Sequence, residues 1–143
     1  MIKDGVRAQA AFTKARLEQE KIVQAQPSYG PPLCVLGLID AALGRKEEAL
    51  REGQRAIELL SVEKDSIGGS EMLVYFAIIA AWVDEKDTAL QDLAANGQSP
   101  GGYQVATYGM LKLFPFWDPL RGDPRFEKIV ASLAPKSAAS PTK

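Results

Sequence analysis

The chain repeats itself at a spacing that only helices can use. Leu33-x2-Leu36-Gly37-x2-Asp40, followed by Gly44, Ala49-x3-Gly53 and Ala56, is echoed by Leu73-x2-Phe76-Ala77-x2-Ala80, followed by Asp84 and Ala89-x3-Leu93. Apolar residues three and four apart mark one face of a helix. Two helices joined by a tight turn come close only where their facing residues are small. The pattern therefore predicts two antiparallel helix pairs, 31–60 and 71–96, with Ala49 pressed between the helices of the first. No run of six or more residues alternates apolar and polar positions with β-branched enrichment. Strands are not needed, and the class is all-α.

The breaks between elements follow from residues that cannot continue a helix. Pro27 and Pro31-Pro32 remove backbone donors and push their predecessors out of the helical region, which sets off a first helix over 5–26. On it Ala8, Ala11, Phe12, Ala15, Ile22 and Val23 share a face that is expected to point inward. Gly44 suits a left-handed turn. The inner face resumes at Ala49, Leu50, Ala56, Ile57 and Leu60, while Glu47 with Arg51, and Glu48 with Glu52, are expected to look outward. Gly68-Gly69 beside a run of charge predicts a loop over Ser61–Ser70, and Asp84-Glu85-Lys86-Asp87 a turn.

Beyond Asn96-Gly97 the pattern changes. Tyr103–Leu113 reads as a short helix. Asp118-Pro119 and Asp123-Pro124 each set a capping carboxylate before a proline suited to the first helical position, so each is expected to start a helix or turn. Phe126, Ile129, Val130 and Leu133 make one face of a last helix that Pro135 stops. Segment 103–134 is thus expected to cap the second pair, burying Phe116, Trp117, Leu120 and Phe126 against it. The reading is one domain, 1–136, and a disordered tail, 137–143.

Function classes are bounded by what is missing. The 143 residues include no histidine, which removes imidazole-activated nucleophiles and imidazole metal ligands. A single cysteine, Cys34, makes no internal disulfide and no thiolate cage. With 17 basic and 18 acidic residues the net charge is −1, so no basic footprint for nucleic acid or membrane exists. The most apolar stretch, Met72–Val83, is too short to span a bilayer. Lys3, Asp4 and Arg7 interrupt the start before any signal-like apolar run, and the expected location is cytoplasmic. Asp118, Asp123 and Glu127 are explained by capping and by pairing with Arg121 and Arg125 rather than by catalysis. No cofactor or metal is expected, and the chain reads as a non-enzyme.

The doubled pattern resembles the tetratricopeptide repeat, a helix-turn-helix of 34 residues with the signature W-x2-L-G-x2-Y…A-x3-F…P. Leu33 stands for the Trp, Asp40 for the Tyr and Gly53 for the Phe, while Leu36-Gly37, Gly44, Ala49 and Ala56 keep the small packing positions. Ala15 precedes Ala49 by 34 residues, so the first helix looks like the second half of a truncated repeat. An unrelated helical bundle is the competing reading. The tail, Tyr108-Gly109-x-Leu111-Lys112-Leu113-x-Pro115-x-Trp117-Asp118-Pro119-Leu120-Arg121-Gly122-Asp123-Pro124-Arg125-Phe126, is similar to the end of tetratricopeptide regions in bacterial multidomain regulators linked to kinase, adenylate cyclase or winged-helix domains.

The resemblance implies a short α-solenoid that scaffolds protein–protein contacts. Its peptide-binding face would be lined by the first helix of each repeat: Cys34, Leu38 and Ala41 from one, Glu71, Val74, Ile78 and Trp82 from the next. Lys, Asn and Arg are absent from Cys34, Leu38, Val74 and Ile78, so a carboxylate clamp is not expected. A runner-up reading is a small-ligand sensor built around Trp82 with Tyr75 and the tail aromatics.

Overall fold

Helix boundaries follow the capping acids and the residues able to take positive φ. The computed structural model describes residues 2–96 and 105–135, with side chains from residue 5 onward. The order is α1 (Ile2–Ala25), α2 (Gly30–Ala42), α3 (Lys46–Leu59), α4 (Ser66–Trp82), α5 (Lys86–Asn96), α6 (Tyr108–Leu113), a 3-10 segment (Pro115–Leu120) and α7 (Pro124–Ser132), with no strand among the described residues. The fold is all-α. The expected tail, 137–143, lies outside the described residues, as does part of the expected helix over 103–113.

The repeat is visible bond by bond in the two turns. Arg45 N–H donates to the Asp40 carbonyl at 2.9 Å, and forty residues on Glu85 N–H donates to the Ala80 carbonyl at 2.8 Å. Leu43 to Ile39 and Val83 to Ile79 match in the same way, at 3.0 and 3.2 Å. Gly44 takes φ 74° and Asp84 φ 65°, so an aspartate holds the left-handed position that glycine holds in the first pair. Each turn reverses the chain and packs α3 on α2, and α5 on α4.

Small residues set how close these helices lie. A Cβ on Gly37 of α2 would stand 3.1 Å from the Ala49 carbonyl of α3, and one on Gly53 would meet the Phe76 ring of α4 at 2.5 Å. The Phe76 ring of α4 thus lies directly over Gly53. Ala49 and Ala89, the matched alanines of α3 and α5, are both fully buried.

Three expectations change here. The loop over Ser61–Ser70 is shorter, because Asp65 accepts from Ile67 and Gly68 N–H at 3.0 and 2.9 Å and starts α4 at Ser66. Gly69 lies inside that helix because its first turn rides on the Ser61–Val62 backbone, where a Cβ has no room. Glu52 is buried rather than outward, since it shares the α3 face of Ala49, Gly53 and Ala56. Asp118 caps nothing: the 3-10 segment starts after Phe114, and the Asp118 carboxylate accepts from Arg121 at 2.8 Å. Asp123 does cap α7, accepting from Arg125 N–H at 2.9 Å.

The tail closes one end of the stack. Trp117, Leu120 and Phe126 are at most 1% exposed, in one cluster with Val74, Ile78 and Leu90. Phe116 departs from the expectation at 44% exposure, because its ring lies outside against Trp82 with centroids 6.0 Å apart.

Two outcomes follow from this packing. Ala49→Leu is expected to lower stability by about 1–3 kcal/mol through overpacking between α2 and α3; urea denaturation of both proteins measures it, and an unchanged midpoint contradicts the packing. Truncation after Leu113 exposes Val74, Ile78 and Leu90, so aggregation or loss of cooperative unfolding is expected in sedimentation and calorimetry.

Candidate interaction surface

The residues expected to line an open groove are placed on α2 and α4, and most are interior. Cys34 and Ala41 of α2, and Val74 and Ile78 of α4, are buried, Leu38 and Trp82 are half-buried, and only Glu71 is exposed. The chain's own tail explains the α4 half. The 3-10 segment packs along α4, and the Trp82 indole N–H donates to the Phe116 carbonyl at 3.0 Å. Cys34 faces Met72, with its Sγ 3.4 Å from the Met72 Sδ. Burial, with a lesser push from the Glu71 charge, raises that thiol to about 12, so it stays protonated and unreactive at neutral pH.

Large apolar side chains are exposed at the opposite end, on α1, as they are over Leu113, Phe114 and Phe116. The expected inward face is not inward: Ala8, Ala11, Ala15 and Ile22 are exposed, Phe12 is 38% exposed, and Val23 alone of that set is half-buried. None of the described elements covers this face. The opposing contact with α2 is largely polar. Gln19 donates to the Pro32 carbonyl at 2.9 Å, and the Arg16 Nε donates to Asp40 Oδ1 at 2.6 Å.

Asp40 is the centre of a cluster that the repeat pattern alone did not reveal. Its side chain is fully buried, and its Oδ1 also meets Arg45 Nε at 3.1 Å. Arg16 and Arg45 each keep a second carboxylate, Glu20 at 2.6 Å and Glu48 at 2.9 Å. Hydrogen bonding to Asp40 holds the Arg16 guanidinium above its ordinary value. Glu52 of α3 also interacts with Asp40, and its carboxyl is pushed up to about 8, first by burial and then by the Asp40 charge. The available signal was an acid, Asp40, at a position where the repeat has an aromatic ring.

Cavities lie elsewhere among the described residues. One of about 800 Å³ lies between α5 and α7, lined by Leu90, Leu93, Leu111, Arg125, Lys128 and Ile129 among others, and a smaller one lies beside Tyr108. Trp82 lines neither. Among the described residues no three metal-ligating side chains gather, and no helix is long and apolar enough to cross a membrane. Compared with protein-family models, curated proteins and solved structures, the chain matches none.

Arg16→Ala leaves α1 without its main tie and Asp40 with one fewer donor, a loss expected at about 1–3 kcal/mol. Hydrogen exchange checks it: α1 amides lose protection while those of α4 and α5 keep theirs. Uniform change across all helices contradicts the placement.

Proposed function

We propose that the chain is a non-enzymatic, tetratricopeptide-type interaction module that receives a helix of a protein partner alongside α1. One observation carries this reading. Ala49 and Ala89 are fully buried against the helix that precedes each of them, whereas Ala15, 34 residues before Ala49, is exposed. A partner helix laid on Ala8, Ala11, Phe12 and Ala15 covers that exposed face, and small residues there permit the same close approach. The burial of Trp117, Leu120 and Phe126 on α4 supports the choice of α1 over the α4 side. A cytoplasmic setting and a role beside a bacterial regulatory domain belong to the same proposal, resting on the tail motif and on a lone buried thiol.

The test is site-specific photo-crosslinking in cells, with the crosslinker at Ala15 and, for contrast, at exposed Gln54 of α3. Capture of a discrete partner at Ala15 but not at Gln54 is expected. Phe12→Glu is expected to weaken the purified pair at least about tenfold, since a buried aromatic contributes about 1.5–3 kcal/mol. Its own melting temperature should hold, because Phe12 is already in contact with water. Equal capture at both positions, or capture only near Phe114, defeats the reading.

A further inference from the structure

Two oxygens deep in the first helix pair have no donor. Asp40 Oδ2 and Glu52 Oε2 are both buried and unpartnered among the described residues, although the two side chains are in hydrogen-bonding contact with each other. Asp40 is 0% exposed and Glu52 is 8% exposed. Two ionised carboxylates offer only lone pairs, so facing oxygens in a dry site repel unless something lies between them.

We propose that Glu52 carries a proton which it donates to Asp40, and that this shared proton is a pH-sensitive latch joining α2 to α3. The surrounding charges support a proton rather than a second arginine. From α1, Arg16 reaches Asp40 Oδ1 but divides itself with Glu20. From the α2–α3 turn, Arg45 reaches the same Oδ1 and divides itself with Glu48. Arg51, on the α3 turn of Glu52, is exposed and acts only through space. From α4, Phe76 and Ile79 pack at this level, and the sole charge of that helix, Glu71, is exposed near Cys34. Both arginines therefore serve one oxygen of Asp40, Oδ1, and Oδ2 is left without a donor.

The sign of the pH dependence follows. Free in an unfolded chain, Glu52 ionises near 4.5; in the fold it holds its proton to about 8. The folded state binds the extra proton, so this contribution is complete below about 4.5 and is lost as pH rises through about 8. Ionisation then sets two carboxylates against each other across α2 and α3. The latch loosens in mildly alkaline solution, opposite to the acid lability that paired carboxylates ordinarily confer.

The experiment is a carbon-detected NMR titration of the full chain with labelled glutamate, alongside thermal melts from pH 6 to pH 9. Expected are a Glu52 midpoint near 8, independent of added salt cations, and a wild-type melting temperature that falls across that range. E52Q, whose amide donates to Asp40 without titrating, should melt at a temperature that stays level from pH 6 to pH 9. A Glu52 midpoint near 4.5 overturns the proposal. So does a midpoint that shifts with potassium or magnesium concentration, which would place a cation between the oxygens. If E52Q does not fold, the wild-type titration alone decides.

Discussion

The first helix pair depends on the close meeting of α2, α3 and α4 at Gly37, Ala49 and Gly53. A Cβ on Gly37 would lie 3.1 Å from the Ala49 carbonyl and 2.8 Å from the Ile79 Cδ1, so any larger residue there must move backbone or core. That approach fixes the pitch of the first pair, and the pitch fixes what sits beside it. Asp40, one turn past Gly37, and Glu52, one turn past Ala49, are carried into the interior because the helices leave no gap for water. The polar cluster is a consequence of tight packing rather than an exception to it. Two arginines from α1 and the turn make that burial tolerable.

Much of this was legible in the sequence, and the reason is local. Small residues at matched spacings report helix pairs directly, and the turns at Gly44 and Asp84 carry the same bonds in both copies. Trp117, Leu120 and Phe126 were legible as a cap because three large apolar residues near the end of a short array need a covered site. Glu52 was not legible. Its charge argued for solvent while its position, three residues after Ala49 and four before Ala56, placed it on the buried face. Periodicity tells which residues share a face; it does not tell what that face meets. The same gap hid α1, whose apolar stripe is correct as a stripe but has no described neighbour to bury it. It also hid Gly69, where the demand came from the Ser61–Val62 backbone and not from a turn.

The groove illustrates how a template transfers positions without transferring exposure. Cys34, Val74 and Ile78 occupy the helices the repeat assigns to them, yet the 3-10 segment and α7 contribute Trp117, Leu120 and Phe126 to the cluster that holds Val74 and Ile78. A tail that serves as a cap uses up the apolar surface that a longer array would present. Where surface is left over therefore depends on which end is closed. Among the described residues, large apolar side chains remain in water on α1, at Val35 of α2, at Ile67 of α4 and over Leu113, Phe114 and Phe116.

The two ends are held by different physics. At the tail, burial of aromatic rings is the main contribution, which is insensitive to pH and nearly indifferent to the exact angle of approach. At α1, Arg16 and Gln19 bond across to α2 while Glu20 braces Arg16 from within the helix, and such bonds depend on geometry and on the charges around Asp40. A helix tied by few apolar contacts and several polar ones is the element that opens at lowest cost. The helix with the exposed apolar face is thus also the one whose docking can be adjusted. Asp40 lies at the join, where it touches α1 through Arg16, the turn through Arg45 and α3 through Glu52.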